Sequence, residues 1–169
     1  ECGFVPFERD DGLHPNSERQ RWSSYDDYLA KNGYTSENPW GDFANSGLSE
    51  NGDLLSGWLL KNSRLPANIP EEHSETAYMT NRAIDFMSQA SENDQPWLCH
   101  LSYIKPHWPY IVPSPYHKMY SEEDINKPIR SDKEKRTNHP LLRAYQNARV
   151  SRCFSRDEVR DHVIPAYMG

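Results

Sequence analysis

The chain has 169 residues, 36% of them hydrophobic and 12% aromatic, with 13 prolines, 10 tyrosines and a net charge of −6. That length suffices for one domain with its own core, and the aromatic content argues against a fully disordered chain. The acidic balance with no basic block does not support a nucleic-acid footprint, although local positive charge can still meet a small anion. No apolar run approaches the roughly 20 residues that cross a bilayer, and no signal peptide is read. A cytoplasmic or periplasmic setting is expected, with the cytoplasm slightly favoured. Cys2, Cys99 and Cys153 are far apart and form no CxxC pair. A thiolate zinc site is therefore not expected, and a single disulfide stays open.

Residues 1–22 show no sustained period. Asp11-Gly12 and Pro15-Asn16 are turn signals. Asp10 and Asp11 could join a metal or charge cluster, but adjacent loop carboxylates are more often solvated. Ser24 is expected to cap a short helix over SYDDYLAKNG, with Tyr25, Tyr28 and Leu29 on one face and Gly33 as its stop. Residues 35–70 read as mostly irregular, a flap or a contact surface. Their one apolar patch, Leu54-Leu55 through Trp58-Leu59-Leu60, reads as a short helix or as a strand and turn.

The firmest helix lies over residues 71–90. Ser74 is its cap and Glu75 its first-turn acid, while Met79, Ala83, Phe86, Met87 and Ala90 recur at helical spacing as core. After a turn at 91–94, Trp97–Tyr103 reads as a central strand, with Trp97, Cys99, Leu101 and Tyr103 on one face. Lys105-Pro106-His107-Trp108-Pro109 stops it. Each proline biases the residue before it towards extended backbone, giving a stiff loop that presents Lys105, His107 and Tyr110. Ser121 opens a further helical turn with Asp124 at capping-box distance. Residues 128–138 read as exposed. Asn138 is expected to cap one helix over LLRAYQNARV, and Ser155 with Glu158 to box the last element, where Pro165 should kink or interrupt the helix.

His107 beside Lys105 is the strongest chemical candidate. The lysine offers a point charge and the imidazole a directional donor, a pair that can stabilise charge on a phosphoryl or sulfuryl oxygen or on a leaving oxygen. From pattern alone, a rigid edge loop with His107 hydrogen-bonded in place is preferred. His100 reads as a satisfied core histidine. His73, His117, His139 and His162 sit on or near surface elements and carry no role. Ser74 and Ser102 lack a nucleophile elbow, and no glycine-rich phosphate loop exists. A non-catalytic binding or assembly module, using Trp58, Trp108 and the tyrosines as contacts, is the competing reading.

The segments GFVPFERDDG and PEEHSETAYMTNRAIDFM, and above all SYIKPHWPYIVPSPYHKMY, resemble the sulfatase and phosphonate monoester hydrolase family of the alkaline phosphatase superfamily. The resemblance implies an α/β fold, a partial alkaline-phosphatase-like sandwich segment with helices, a central strand and long loops. It implies a loop-rich part at 1–70, a helix–strand–loop core at 71–127 and a helical connection at 128–169. The family's anion-contacting histidine corresponds to His107, and the lysine two residues earlier to Lys105. Catalytic roles are thus expected for His107 and Lys105, and substrate binding for His107, Lys105 and Tyr110. The family's Cys/Ser-x-Pro-x-Arg signature, its metal carboxylates and its late lysine are missing. The resemblance therefore implies an internal segment with no metal ligand or cofactor of its own, inactive by itself. The longer parent would use formylglycine and a divalent metal such as Ca or Mn to cleave a small anionic ester, namely a sulfate ester, phosphonate monoester or phosphodiester. No nucleic-acid or membrane partner is expected, and homo-oligomer formation stays open.

Overall fold

The computed structural model describes residues 3–10, 22–137 and 139–169, so Asp11 and Asn138 lie outside the described residues. Helix α1 spans Ser24–Lys31 and is capped by Ser23, one residue earlier than expected. Both Ser23 and Ser24 have an aspartate three residues on. Asp26 decides between them, because its buried carboxylate accepts from Ser23 N at 2.9 Å and also from Trp40 N at 3.1 Å. Tyr25 and Leu29, both fully buried, point α1 into a core with Trp40, Ala44, Ala67, Ile69, Tyr78 and Ile111. Gly33 follows the helix at φ +91°, the left-handed stop that glycine permits.

A π-helical turn, Trp40–Ala44, leads into β1, Ser46–Leu48. The turn closes through Asn45 N–H donating to Trp40 O at 3.1 Å, and it leaves Asn45 fully buried. The 54–60 patch resolves as a strand and turn. Strand β2, Leu54–Ser56, pairs antiparallel with β1, and a 3-10 turn at Leu60–Asn62 follows. On its other side β1 meets an isolated antiparallel bridge from Gly47 to Ala67, and Pro66 in turn bridges Val112 in parallel. This small open sheet carries the backbone just past the histidine loop, at Ile111 and Val112, into the core.

Helix α2 spans Glu75–Ser91, with Ser74 Oγ accepting from Ala77 N as its cap. Its buried residues are Glu75 and Tyr78, one turn before the expected stripe. Met87 is 41% exposed, and Phe86 packs edge-on to Phe7 and Trp97. Trp97–Tyr103 is not a laddered strand: none of its backbone groups joins a backbone hydrogen bond among the described residues. A strand needs a neighbour to bond to, and none of the described segments pairs its backbone with this one. The expected alternation survives in part, with Cys99 and Leu101 half-buried between exposed neighbours.

The Ser121 box forms as expected, with Asp124 accepting from Ser121 N at 2.7 Å over a 3-10 turn at Glu122–Asp124. The helix expected over LLRAYQNARV breaks in two, α3 at Pro140–Asn147 and α4 at Arg149–Phe154, with Ala148 extended between them. Nothing in the side chains explains that break. Helix α5, Asp157–Met168, starts without the expected box. Ser155 Oγ donates to Arg152 O at 2.8 Å, which commits it to the end of α4, and Glu158 pairs with Arg156 at 3.7 Å. Pro165 does not end α5. It falls in the last turn and is buried against the body, so only the carbonyl one turn earlier loses a partner.

Candidate functional site

The segment 105–110 leaves the extended 97–104 stretch through a turn closed by His107 N–H donating to Ile104 O at 2.9 Å. Both of its prolines, Pro106 and Pro109, follow cis peptide bonds. The His107 ring is exposed, and its Nδ1 lies 2.6 Å from Trp108 O. A carbonyl only accepts, so Nδ1 carries the proton. Nε2, with no hydrogen-bond partner among the described residues, is left for whatever occupies the space beside it. The Trp108 indole meets Trp58 edge-on at 4.6 Å, and Trp58 meets Trp40 at 5.8 Å, so a ladder of three indoles runs from the core to the histidine loop.

Lys105 turns inward. Its Nζ donates to Asn45 Oδ1 at 2.8 Å and to Pro109 O at 3.0 Å, and lies 4.0 Å from Glu75 Oε2. The ammonium therefore clamps the two ends of the loop to the π-helical turn. Burial lowers the Lys105 pKa, while the Glu75 charge works against that fall. Glu75 also accepts from Trp40 Nε1 at 2.7 Å. Burial pushes the Glu75 carboxyl up to about 7 and Asp10 adds to the rise, while the Lys105 charge and the indole bond pull it back. Reading Glu75 simply as a first-turn acid missed this partnership. The available signal was its spacing, since Glu75 stands four residues before Met79 on the face of the apolar stripe.

Lys105, His107 and Tyr110 all line one cavity of about 590 Å³, whose walls also include Glu75, Ile111 and the end of α5. Tyr110 is half-buried, with its ring edge-on to Tyr167 at 6.0 Å and to Phe154 at 6.3 Å. The loop and the two helices thus bring the three expected site residues to the same space.

The other histidines lie elsewhere. His100 is exposed beside the Phe4 ring rather than in a core, because the unpaired 97–103 segment buries neither face fully. His117, expected at the surface, is buried; desolvation and then Lys118 and Arg64 lower its pKa. His73 Nδ1 meets Tyr28 Oη at 2.7 Å. Cys99 and Cys153 are free thiols. Among the described residues no three His, Cys, Asp or Glu side chains converge on a point that could hold a metal ion, so the divalent ion that the family implies does not fit these residues. No helix among them is long and apolar enough to cross a membrane.

An α/β segment with helices around a small open antiparallel sheet matches a partial alkaline-phosphatase-like sandwich. The sequence matches and the fold together place the chain, over a partial segment, in the alkaline phosphatase and sulfatase superfamily. The chain is 35% identical over 82 residues to the multifunctional alkaline phosphatase superfamily protein PehA of Trinickia caryophylli, covering 47% of this chain and 16% of that protein. It is 31% identical over 84 residues to the arylsulfatase of Clostridium perfringens, covering 48% of this chain and 17% of that one. The fold is similar to that of a phosphonate monoester hydrolase from Silicibacter pomeroyi, with TM-score 0.66 and 21% identity over 90% of this chain and 30% of the other. The matched segments span about a sixth of the length of these two curated relatives. No family model matches the chain.

Proposed function

We propose that this chain supplies one wall of the active site of a longer hydrolase that cleaves sulfate esters, phosphonate monoesters or phosphodiesters, and that the segment alone is inactive. The observation that carries the reading is the His107 ring, pinned at Nδ1 by Trp108 O and open at Nε2 beside the cavity shared with Lys105 and Tyr110. With Nδ1 already protonated, Nε2 donates only when the ring is an imidazolium. The charged ring then holds a non-bridging oxygen of a tetrahedral anion, or the ester oxygen as its bond to sulfur or phosphorus breaks. Lys105 adds a fixed positive charge in the cavity wall and, through Pro109 O, keeps the loop in place. Tyr110 presents its ring and a hydroxyl with no partner among the described residues to the same space. The described residues hold no metal site, so no step is assigned to one. A divalent ion and a formylglycine nucleophile would come from other residues of the longer protein.

Titration of the chain with sulfate and with phenylphosphonate, following histidine ring signals by NMR, tests this reading. The His107 signals are expected to shift saturably and to be unresponsive to chloride. In the longer protein, His107→Ala is expected to cost about 100-fold or more in turnover while the fold is retained. Histidine signals indifferent to both oxyanions would remove the basis for the reading.

A further inference from the structure

A tetrahedral anion held at His107 carries an organic group, and that group needs room. A second cavity of about 1100 Å³ shares Pro106, His107, Tyr110 and Tyr167 with the first, but not Lys105 or Glu75. His107 therefore stands in the wall common to both. The second cavity is lined on one side by the indoles of Trp58 and Trp108, 41% and 38% exposed. Phe154 and Val150 of α4 line it as well. Flat, half-exposed rings facing a void favour an aromatic guest, which recovers apolar area from water and stacks on or against the rings.

The charges around this cavity select further. Lys61, Arg149 and Arg156 line it against a single carboxylate, Glu158. Arg156 is engaged with Glu158 at 3.7 Å, while Lys61 and Arg149 have no ion pair among the described residues. In a chain with a net charge of −6, this is a local excess of positive charge beside the aromatic wall.

Resting on the reading of His107 as the anion contact, we propose that the second cavity binds the organic part of the same ester. We further propose that this part is an aromatic group bearing a second acidic substituent, a carboxylate, sulfonate or phosphate. The first acid sits at His107, the ring lies against Trp58 and Trp108, and the second acid faces Arg149 and Lys61.

Three probes dissect the proposal on the 169-residue chain: methylphosphonate, phenylphosphonate and 4-carboxyphenylphosphonate. His107 ring signals report the anion end, and the indole signals of Trp58 and Trp108 report the cavity. Affinity is expected to rise in that order, by roughly three- to tenfold at each step, with the indole signals moving only for the two aryl probes. Arg149→Gln, at an exposed helix position, is expected to narrow the gap between the carboxylated and plain phenyl probes, and Lys61→Gln to do the same. Equal affinity for all three probes, with His107 shifting and the indoles still, overturns the cavity assignment and leaves the anion contact standing. Silence at His107 with every probe overturns both. A carboxylated probe no tighter than phenylphosphonate, or a gap unchanged in both variants, overturns the second acidic substituent.

Discussion

Lys105 Nζ lies 4.0 Å from Glu75 Oε2, and through this pair the histidine loop is tied to the first turn of α2. The remaining bonds of the ammonium, to Asn45 and Pro109, make it the point where helix, π-helical turn and loop meet. Burial is the largest cause of the raised Glu75 pKa, about 7 against an ordinary 4.5. The folded state thus binds this proton more tightly than the unfolded chain. Its contribution to stability is fully present below about pH 4.5 and is lost as the pH rises through about 7. Urea denaturation of wild type and Glu75→Gln over that range should show a falling difference in midpoint, with the glutamine variant lacking this component. Parallel pH profiles would mean that Glu75 ionises alike in both states.

Lys105→Met should destabilise the chain by about 3 kcal/mol, because it leaves Asn45 Oδ1 and Pro109 O without their donor and Glu75 without its cation. Lys105→Arg should not restore the loss, since a planar fork does not fit a site built around a compact ammonium. Chemical denaturation measures both. A methionine variant as stable as wild type would show that the clamp holds nothing.

How far these features could be read in the residues depends on how local they are. The Ser74 cap of α2, the Ser121–Asp124 box and the proline-braced loop are written in residues within a turn of each other, and the structure has them where expected. The cap of α1 is Ser23 and not the expected Ser24, although each has an aspartate three residues on. The choice came from Trp40, far off in sequence. The inward turn of Lys105 depends on Asn45, sixty positions earlier, and no pattern of neighbours reveals it. The 97–103 segment has the alternation of a strand, but a ladder is a property of two segments, and only one is among the described residues. His107, Lys105 and Tyr110 share a cavity because they share a short loop, which is why motif reading could group them.

Gly47 is where β1 is packed most tightly against the rest of the body. A Cβ there would sit 2.7 Å from Leu65 Cβ, 2.8 Å from Ile111 Cδ1 and 2.9 Å from Pro66 O. The backbone carbonyl cannot yield without opening the bridge beside it. Gly47→Ala should therefore cost about 1–3 kcal/mol. It should also disturb the Ile111 methyl signals, next to the histidine loop. A neutral substitution, read by urea denaturation, would place β1 further from the 65–66 segment than this structure has it.

Asp26 carries more than a helix cap. Its carboxylate accepts from Ser23 N, Ser23 Oγ and Trp40 N while fully buried. Asp26→Ala should cost about 3 kcal/mol, above the ordinary range for a cap alone, because a buried charged acceptor shared by Ser23 and Trp40 is lost. Ser23→Ala removes only the hydroxyl and should cost about 1 kcal/mol. Equal losses in the two variants would mean that the link to Trp40 contributes nothing.

The indole ladder bears directly on the proton carried by His107. The Trp108 carbonyl that accepts from Nδ1 belongs to the residue whose side chain is held edge-on against Trp58 at 4.6 Å. Fixing that indole fixes the Trp108–Pro109 peptide, and the carbonyl of that peptide selects the tautomer. The neutral ring should be the Nδ1–H form, with the Nε2 lone pair directed outward. An oxyanion finds no donor in that form, and only the doubly protonated ring offers Nε2–H to sulfate or a phosphonate. Nitrogen-15 NMR of the imidazole at alkaline pH separates the two tautomers. Trp58→Ala should leave Trp108 unsupported and move the His107 nitrogens towards averaged values, at a stability cost of about 2 kcal/mol from lost ring contacts and apolar area. A wild-type ring protonated at Nε2 would contradict the 2.6 Å bond to Trp108 O and with it the route by which the loop prepares this histidine for an anion.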